Sequence, residues 1–259
     1  MNILESFDDK SPAVIEPGFP GGPFDEFPSA AVCCFMQDTI DRLLPELCEV
    51  PDRPLLRLPG TGAAVWPVEY KDSPVAFCRL PVGAPAASIA LEGLYAANVQ
   101  TTVVFGTCGV LRADIEDCSV IIPGSALRCE GTSFHYAPAA DEISLNSEHL
   151  EEFKRILEGL SLPYYEGKVW TTDAVYRETR ALAAKRRQQG CLCVDMECSA
   201  LAAVSQFRKR DHFQFFCAAD NLDAPEWDPR SLGRAGRHER KVNMVRAALE
   251  LAVSVSAVR

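Results

Sequence analysis

Hydrophobic positions along this chain fall into two kinds of run that alternate over most of its length. Short β-branched or aromatic stretches bounded by Gly, Pro or charged turns read as buried strands: 30–35 (AAVCCF), 63–70 (AAVWPVEY), 73–80 (SPVAFCRL), 101–109 (TTVVFGTCG), 117–124 (DCSVIIPG), 125–131 (SALRCEG), 167–173 (GKVWTTD), 190–196 (GCLCVDM) and 212–220 (HFQFFCAAD). Between them, apolar residues recur at helical spacing in 38–47, 85–99, 147–160, 176–190, the stretch opened by Glu197, and 240–258. Pro85 suits a first helical turn, and Glu151 and Glu152 sit where the helix dipole favours acids. Strand and helix alternate without a linker, which predicts a single α/β domain over 30–259. Residues 1–29, rich in Pro and Gly, read as an extended N-terminal arm.

Composition adds exclusions. The 259 residues are 47% apolar and 24% charged, enough to bury a sizeable core. The net charge is −10 with no basic stripe, which argues against a nucleic-acid partner. No run is long enough for a membrane span and no basic-then-apolar leader opens the chain, so a cytoplasmic protein is the simplest expectation. Eleven cysteines are scattered with no C-x-x-C pair, a pattern of small buried residues in a reducing compartment rather than of a metal site.

One stretch resists the bland reading. In CVDMECSAL (193–201), Asp195 and Glu197 flank Met196 where an apolar strand gives way to an apolar helix. Unpaired buried charge is costly, so a ligand needing an acceptor is one explanation. Ligands of open α/β sheets sit beyond the carboxyl ends of strands. Two other strand ends also carry suggestive residues: Gly106, Thr107, Cys108 and Gly109 in one, Asp220 and Asp223 in the other. Taken singly, each also fits a plain turn or cap.

Together these motifs resemble the nucleoside phosphorylase and nucleosidase superfamily. VDMECSALAAV is similar to its ribose-binding Met-Glu motif, VVFGTCGVL to its phosphate-loop strand, AADNLD to the acid motif of its purine branches, RCEGTSFHYAP to a segment of its uridine branch, and WTTDAVYRET to its base-pocket strand. The resemblance implies a three-layer α/β/α sandwich around a twisted mixed sheet, and cleavage of a nucleoside's N-glycosidic bond. By the same resemblance, Glu197 accepts the ribose hydroxyls and steadies an oxocarbenium-like sugar, and Met196 lines that sugar. Asp220 is the general acid at a purine N7. Thr107, Cys108 and Gly109 approach the sugar or an anion, while Val175 and Tyr176 wall the base. Asp195, one residue before Met196, reads as a supporting or helix-capping acid. The expected partners are a small-molecule nucleoside and further copies of the chain in a homo-oligomer. No organic cofactor or metal is implied, and inorganic phosphate is the expected co-substrate.

The sequence also departs from that family. The arginine-bearing loop that clamps phosphate is replaced by MQDTIDR, Val104 stands where a second arginine is usual, and none lies around Trp66–Val68. Bidentate arginine is the natural phosphate ligand, so substitutes are needed, with Arg79 and Arg112 the candidates. Hydrolytic members place an acid after the first strand, where Asp38 stands, so water remains an alternative nucleophile. Thr179 stands where a uridine-reading Gln is expected and Arg180 falls one place early, which points to a purine. A binding protein that lost turnover, and a cysteine-based redox sensor, are the readings from other classes.

Overall fold

The computed structural model describes residues 2–19, 22, 24, 26–36, 39–232 and 237–256. Asp38, the candidate base for water, lies outside them.

Ten strands form one mixed sheet: β1 (Ala30–Cys34), β2 (Leu56–Arg57), β3 (Ala64–Tyr70), β4 (Ser73–Arg79), β5 (Thr101–Val110), β6 (Val120–Cys129), β7 (Glu142–Ser144), β8 (Tyr164–Thr172), β9 (Cys191–Asp195) and β10 (Asp211–Asn221). Among the described residues five α-helices flank it: α1 (Ala84–Ala96), α2 (Leu150–Gly159), α3 (Arg180–Gln188), α4 (Cys198–Arg208) and α5 (His238–Ser256). Every residue of β1 is buried, as expected for a strand paired in parallel on both sides, here with β4 and β5. One core layer packs β1, β5 and β10 against α2 and α5 through Phe153, Phe213 and Phe215. On the opposite face, α1 and α4 cover Val65, Ala76 and Val104 with Leu91, Leu94 and Leu201. The architecture is therefore helices on both faces of a twisted mixed sheet.

The twist goes further than an open sandwich. β5 pairs with β10 in parallel and with β9 antiparallel, and β10, β6, β8 and β9 continue the ladder, so five strands close a ring. Closure removes the edges those strands would otherwise expose. β9 runs against β5 and pairs only with its last residues, which brings the carboxyl end of β9 beside those of β5 and β10.

Several expectations change in detail. DCSVIIPG and SALRCEG are one strand, β6, whose register against β8 shifts between Pro123 and Ser125. A bulge at Gly124 reads in sequence like a turn because both favour Gly after Pro. The 38–47 helix is irregular, a wide turn over Thr39–Leu43 followed by a 3₁₀ turn at Leu44–Glu46, since Pro45 removes a backbone donor. Helix α3 starts only at Arg180, where the Thr179 hydroxyl accepts from the Leu182 amide, and Val175–Arg177 form a separate 3₁₀ turn. The two-residue strand β2 and three-residue strand β7 are too short to show a period. In the N-terminal segment, Phe19 and Phe27 pack on the α1 face and Glu16 pairs with Arg208.

Candidate functional site

Strand β9 ends at Asp195 and α4 begins at Cys198, and the two-residue step between strand and helix is fixed by hydrogen bonds. Asp195 Oδ2 accepts from the amides of Glu197 (2.9 Å) and Cys198 (2.7 Å), satisfying donors that a helix start leaves orphaned. Its Oδ1 accepts from the Thr171 hydroxyl at 2.7 Å, and that same hydroxyl receives the Ser199 amide at 3.1 Å. Glu130 adds a second brace, accepting from the Ser199 hydroxyl (2.8 Å) and the Ser133 amide (2.9 Å). Buried Arg128 holds that segment by donating to Ser133 Oγ (2.8 Å) and the Pro138 carbonyl (2.7 Å). Asp195 is thus the structural acid of the pair. Its bracing frees Glu197, whose side chain makes no cap bond.

Glu197 is 6% exposed and turned toward the amino end of α1. There the Gly83 amide donates to its Oε1 at 2.6 Å. Gly83 reaches this position with φ 99°, a conformation that favours glycine. Burial, with the nearby Asp195 charge, pushes the Glu197 carboxyl up to about 8; burial holds Asp195 at about 6.

A cleft of about 230 Å³ opens beside Glu197, lined by Thr107, Cys108, Gly109, Met196, Glu197 and Asp220 among others, with Val82 and Val175 at its sides. The structure therefore brings the Met-Glu pair, the end of β5 and the end of β10 into one space. Gly109 sits opposite Asp220 where β5 pairs with β10, and a Cβ there would lie 2.5 Å from Leu222 Cδ1 and push that side chain aside. Asp220 Oδ2 accepts from the Trp227 indole at 2.8 Å. A second cavity of about 610 Å³ continues from the first, sharing Val175, Glu178, Asp220 and Leu232, and Tyr176 lies on its wall.

Glu178 went unrecognised in the sequence, where attention rested on its neighbours Thr179 and Arg180. It faces Asp220 across the junction of the two cavities, and burial, with the Asp220 charge second, raises its carboxyl to about 7. The only signal was an acid in the turn between a strand and a helix. Thr179 caps α3, and Arg180 donates to the carbonyls of Ala224 and Pro225.

Of the proposed phosphate ligands Thr107 lines the cleft, but the two arginines do not. Arg112 is exposed and paired with Asp114, two residues on, so its fork is already taken. Arg79 is exposed at the end of β4 beside Cys34, outside the cleft lining. Neither Lys nor Arg lines the cleft among the described residues. Asp223 turns away to pair with Arg187 and accept from the Ala113 amide. Among the described residues one group has donors spaced for a metal ion, Glu148, His149 and Asp211. It lines a separate cavity at the start of α2.

Fold and site together define a β-ring scaffold whose cleft is built from carboxylates and small strand-end residues, and comparison with known proteins places it. The chain superposes on the purine nucleoside phosphorylase of Toxoplasma gondii solved with immucillin-H, with TM-score 0.77 and 17% identity over 90% of this chain and 93% of that one. A uridine phosphorylase of Vibrio fischeri gives TM-score 0.72 at 24% identity, covering 87% and 92%. In sequence, it is 30% identical over 160 residues to a DeoD-type purine nucleoside phosphorylase of Brevibacillus brevis, 59% of this chain and 66% of that protein. A guanosine phosphorylase of Halorubrum lacusprofundi matches at 27% over 151 residues, 58% and 62%. These matches span just under two thirds of each relative's length. The phosphorylase superfamily model matches residues 29–257, and the chain belongs to that family.

Proposed function

We propose that this protein cleaves the N-glycosidic bond of a purine ribonucleoside, transferring the ribosyl group to inorganic phosphate and releasing the free base and ribose 1-phosphate. The observation that carries the reading is the shared cleft of Glu197 and Asp220, with Met196 and Thr107 between the strand ends. Glu197 receives the sugar hydroxyls, and in its ionised form its negative charge stabilises the ribosyl cation more than the ground state. Asp220, held by Trp227, protonates N7 so that the base leaves neutral. Glu178, beside Asp220 and with a carboxyl near 7, accepts a base N–H or donates to a ring acceptor. Two carboxyls and, among the described residues lining the cavities, no free amide or guanidinium reader suit a purine better than a uracil ring. In this reading Val175 and Tyr176 flank the base, Cys108 and Gly109 line the sugar side, and the protein works as a cytoplasmic homo-oligomer.

A second reading has its own observation: the cleft is acidic and no cation lines it among the described residues, which favours water over phosphate as the acceptor. One experiment separates them. The protein is incubated with a nucleoside panel in phosphate and in phosphate-free buffer, and base and sugar products are identified by chromatography. Phosphorolysis yields ribose 1-phosphate and stalls without phosphate. Equal base release in both buffers, with free ribose, establishes the hydrolytic reading, and no base release from any nucleoside rejects both.

A further inference from the structure

The cleft and the larger cavity meet at Val175, Glu178, Asp220 and Leu232, so a ring placed against Asp220 sits at their junction. Past that junction the space belongs to Tyr176, Arg180, Ala183, Leu222, Ala224 and Trp227. Its volume, about 610 Å³, is in the range of pockets that hold a whole drug-sized ligand (roughly 300–1,000 Å³). A bare bicyclic base leaves most of it empty. The polar groups around it are largely spent: the Trp227 indole on Asp220, and the Arg180 guanidinium on the carbonyls of Ala224 and Pro225. What remains is aliphatic and aromatic surface, which rewards apolar contact and offers few hydrogen bonds.

The chemistry of the purine ring sets a direction. N7 and the 6-substituent lie on the same edge of the base, so an acid at N7 has the 6-substituent beside it. The residue bonded to that acid is Trp227, which opens onto the large cavity.

We propose that the site takes purine ribonucleosides carrying a bulky apolar group on the 6-position nitrogen, an N6-alkyl or N6-aryl adenosine, with that group seated against Trp227, Leu222 and Ala224. This rests on the N-glycosidic reading above. The substituent plays no part in bond cleavage; it supplies binding energy remote from the reacting carbon, which a transferase spends on turnover.

The test compares adenosine with N6-benzyladenosine as substrates, and adenine with 6-benzylaminopurine as ligands by calorimetry. The expected result is a kcat/KM at least about tenfold higher for the benzyl nucleoside, in line with the roughly 10–200-fold that one methylene is worth in an apolar pocket. The free bases should follow the same order in affinity. Ala224→Phe, which fills the cavity, should reduce that selectivity ratio by about tenfold or more. Adenosine cleaved as well as or better than its benzyl derivative, or a ratio that Ala224→Phe leaves unmoved, overturns the inference and leaves the N-glycosidic reading intact. No cleavage of either nucleoside, with 6-benzylaminopurine still bound more tightly than adenine, rejects the reaction and keeps the cavity's preference. Equal affinity for the two bases in a protein without turnover rejects both.

Discussion

At the scale of the residue, Glu197 and Asp195 show how two carboxylates two positions apart acquire different duties. Asp195 has both oxygens committed to Thr171 and to the amides of residues 197 and 198, whereas the Glu197 carboxyl reaches across to the Gly83 amide at the start of α1. Glu197→Gln keeps the shape and an acceptor but loses the charge, and should lower kcat by about a thousandfold or more with unchanged near-ultraviolet circular dichroism. Wild-type-like turnover would remove Glu197 from the reaction. The same substitution has a consequence for stability. The folded carboxyl titrates at about 8 against an ordinary 4.5, so the folded state holds its proton more tightly across that interval. The stability this contributes is full below about pH 4.5 and is lost as pH rises through 8. Glu197→Gln should therefore melt higher than wild type at pH 8.5 and alike at pH 4, and equal melting curves at both would count against the buried, raised carboxyl.

At the scale of the element, the site depends on how strands end. The Asp195 carboxylate closes β9 and starts α4, so Asp195→Ala leaves the amides of residues 197 and 198 and the Thr171 hydroxyl short of a partner. A loss of about 1–3 kcal/mol in urea denaturation is expected. Relief of the Asp195 charge points in another direction for activity: Asp195→Asn should move the rising limb of the kcat/KM–pH profile to lower pH, because that charge helps hold Glu197 up. The strands that carry chemistry were readable in sequence because each is a β-branched or aromatic run ending in small or acidic residues. TTVVFGTCG, GCLCVDM and HFQFFCAAD lie where expected, and the Met-Glu pair, Thr107 and Asp220 meet in one cleft. What was not legible depends on contacts between distant segments. Glu178 gains its place from a short 3₁₀ turn and from burial beside Asp220, neither of which has a sequence period. Asp114 occupies Arg112, a pairing that residue spacing alone does not fix, and the closure of β5 onto both β9 and β10 leaves no mark in either strand alone.

At the scale of the whole molecule, the cysteine count resolves into packing. Nine of the eleven thiols are buried and only Cys48 and Cys129 are partly open, with no disulfide recorded among the described residues. Burial pushes Cys34 up to about 12 and Cys191 likewise. Native protein should therefore show at most about two thiols reacting promptly with an aromatic disulfide reagent, and eleven after denaturation; many fast thiols in the native state would revive the redox-sensor reading. No helix among the described residues is long and apolar enough to cross a membrane. The bond from the Gly83 amide to Glu197 spans 114 positions, and Asp220 lies further on still. A ribosome making this chain thus completes Gly83 and Glu197 before the last of these groups can arrive. Partial products of synthesis or proteolytic nicks that separate Gly83 from Glu197 would inherit strands and helices, yet no fragment alone would hold Gly83, Glu197 and Asp220 together.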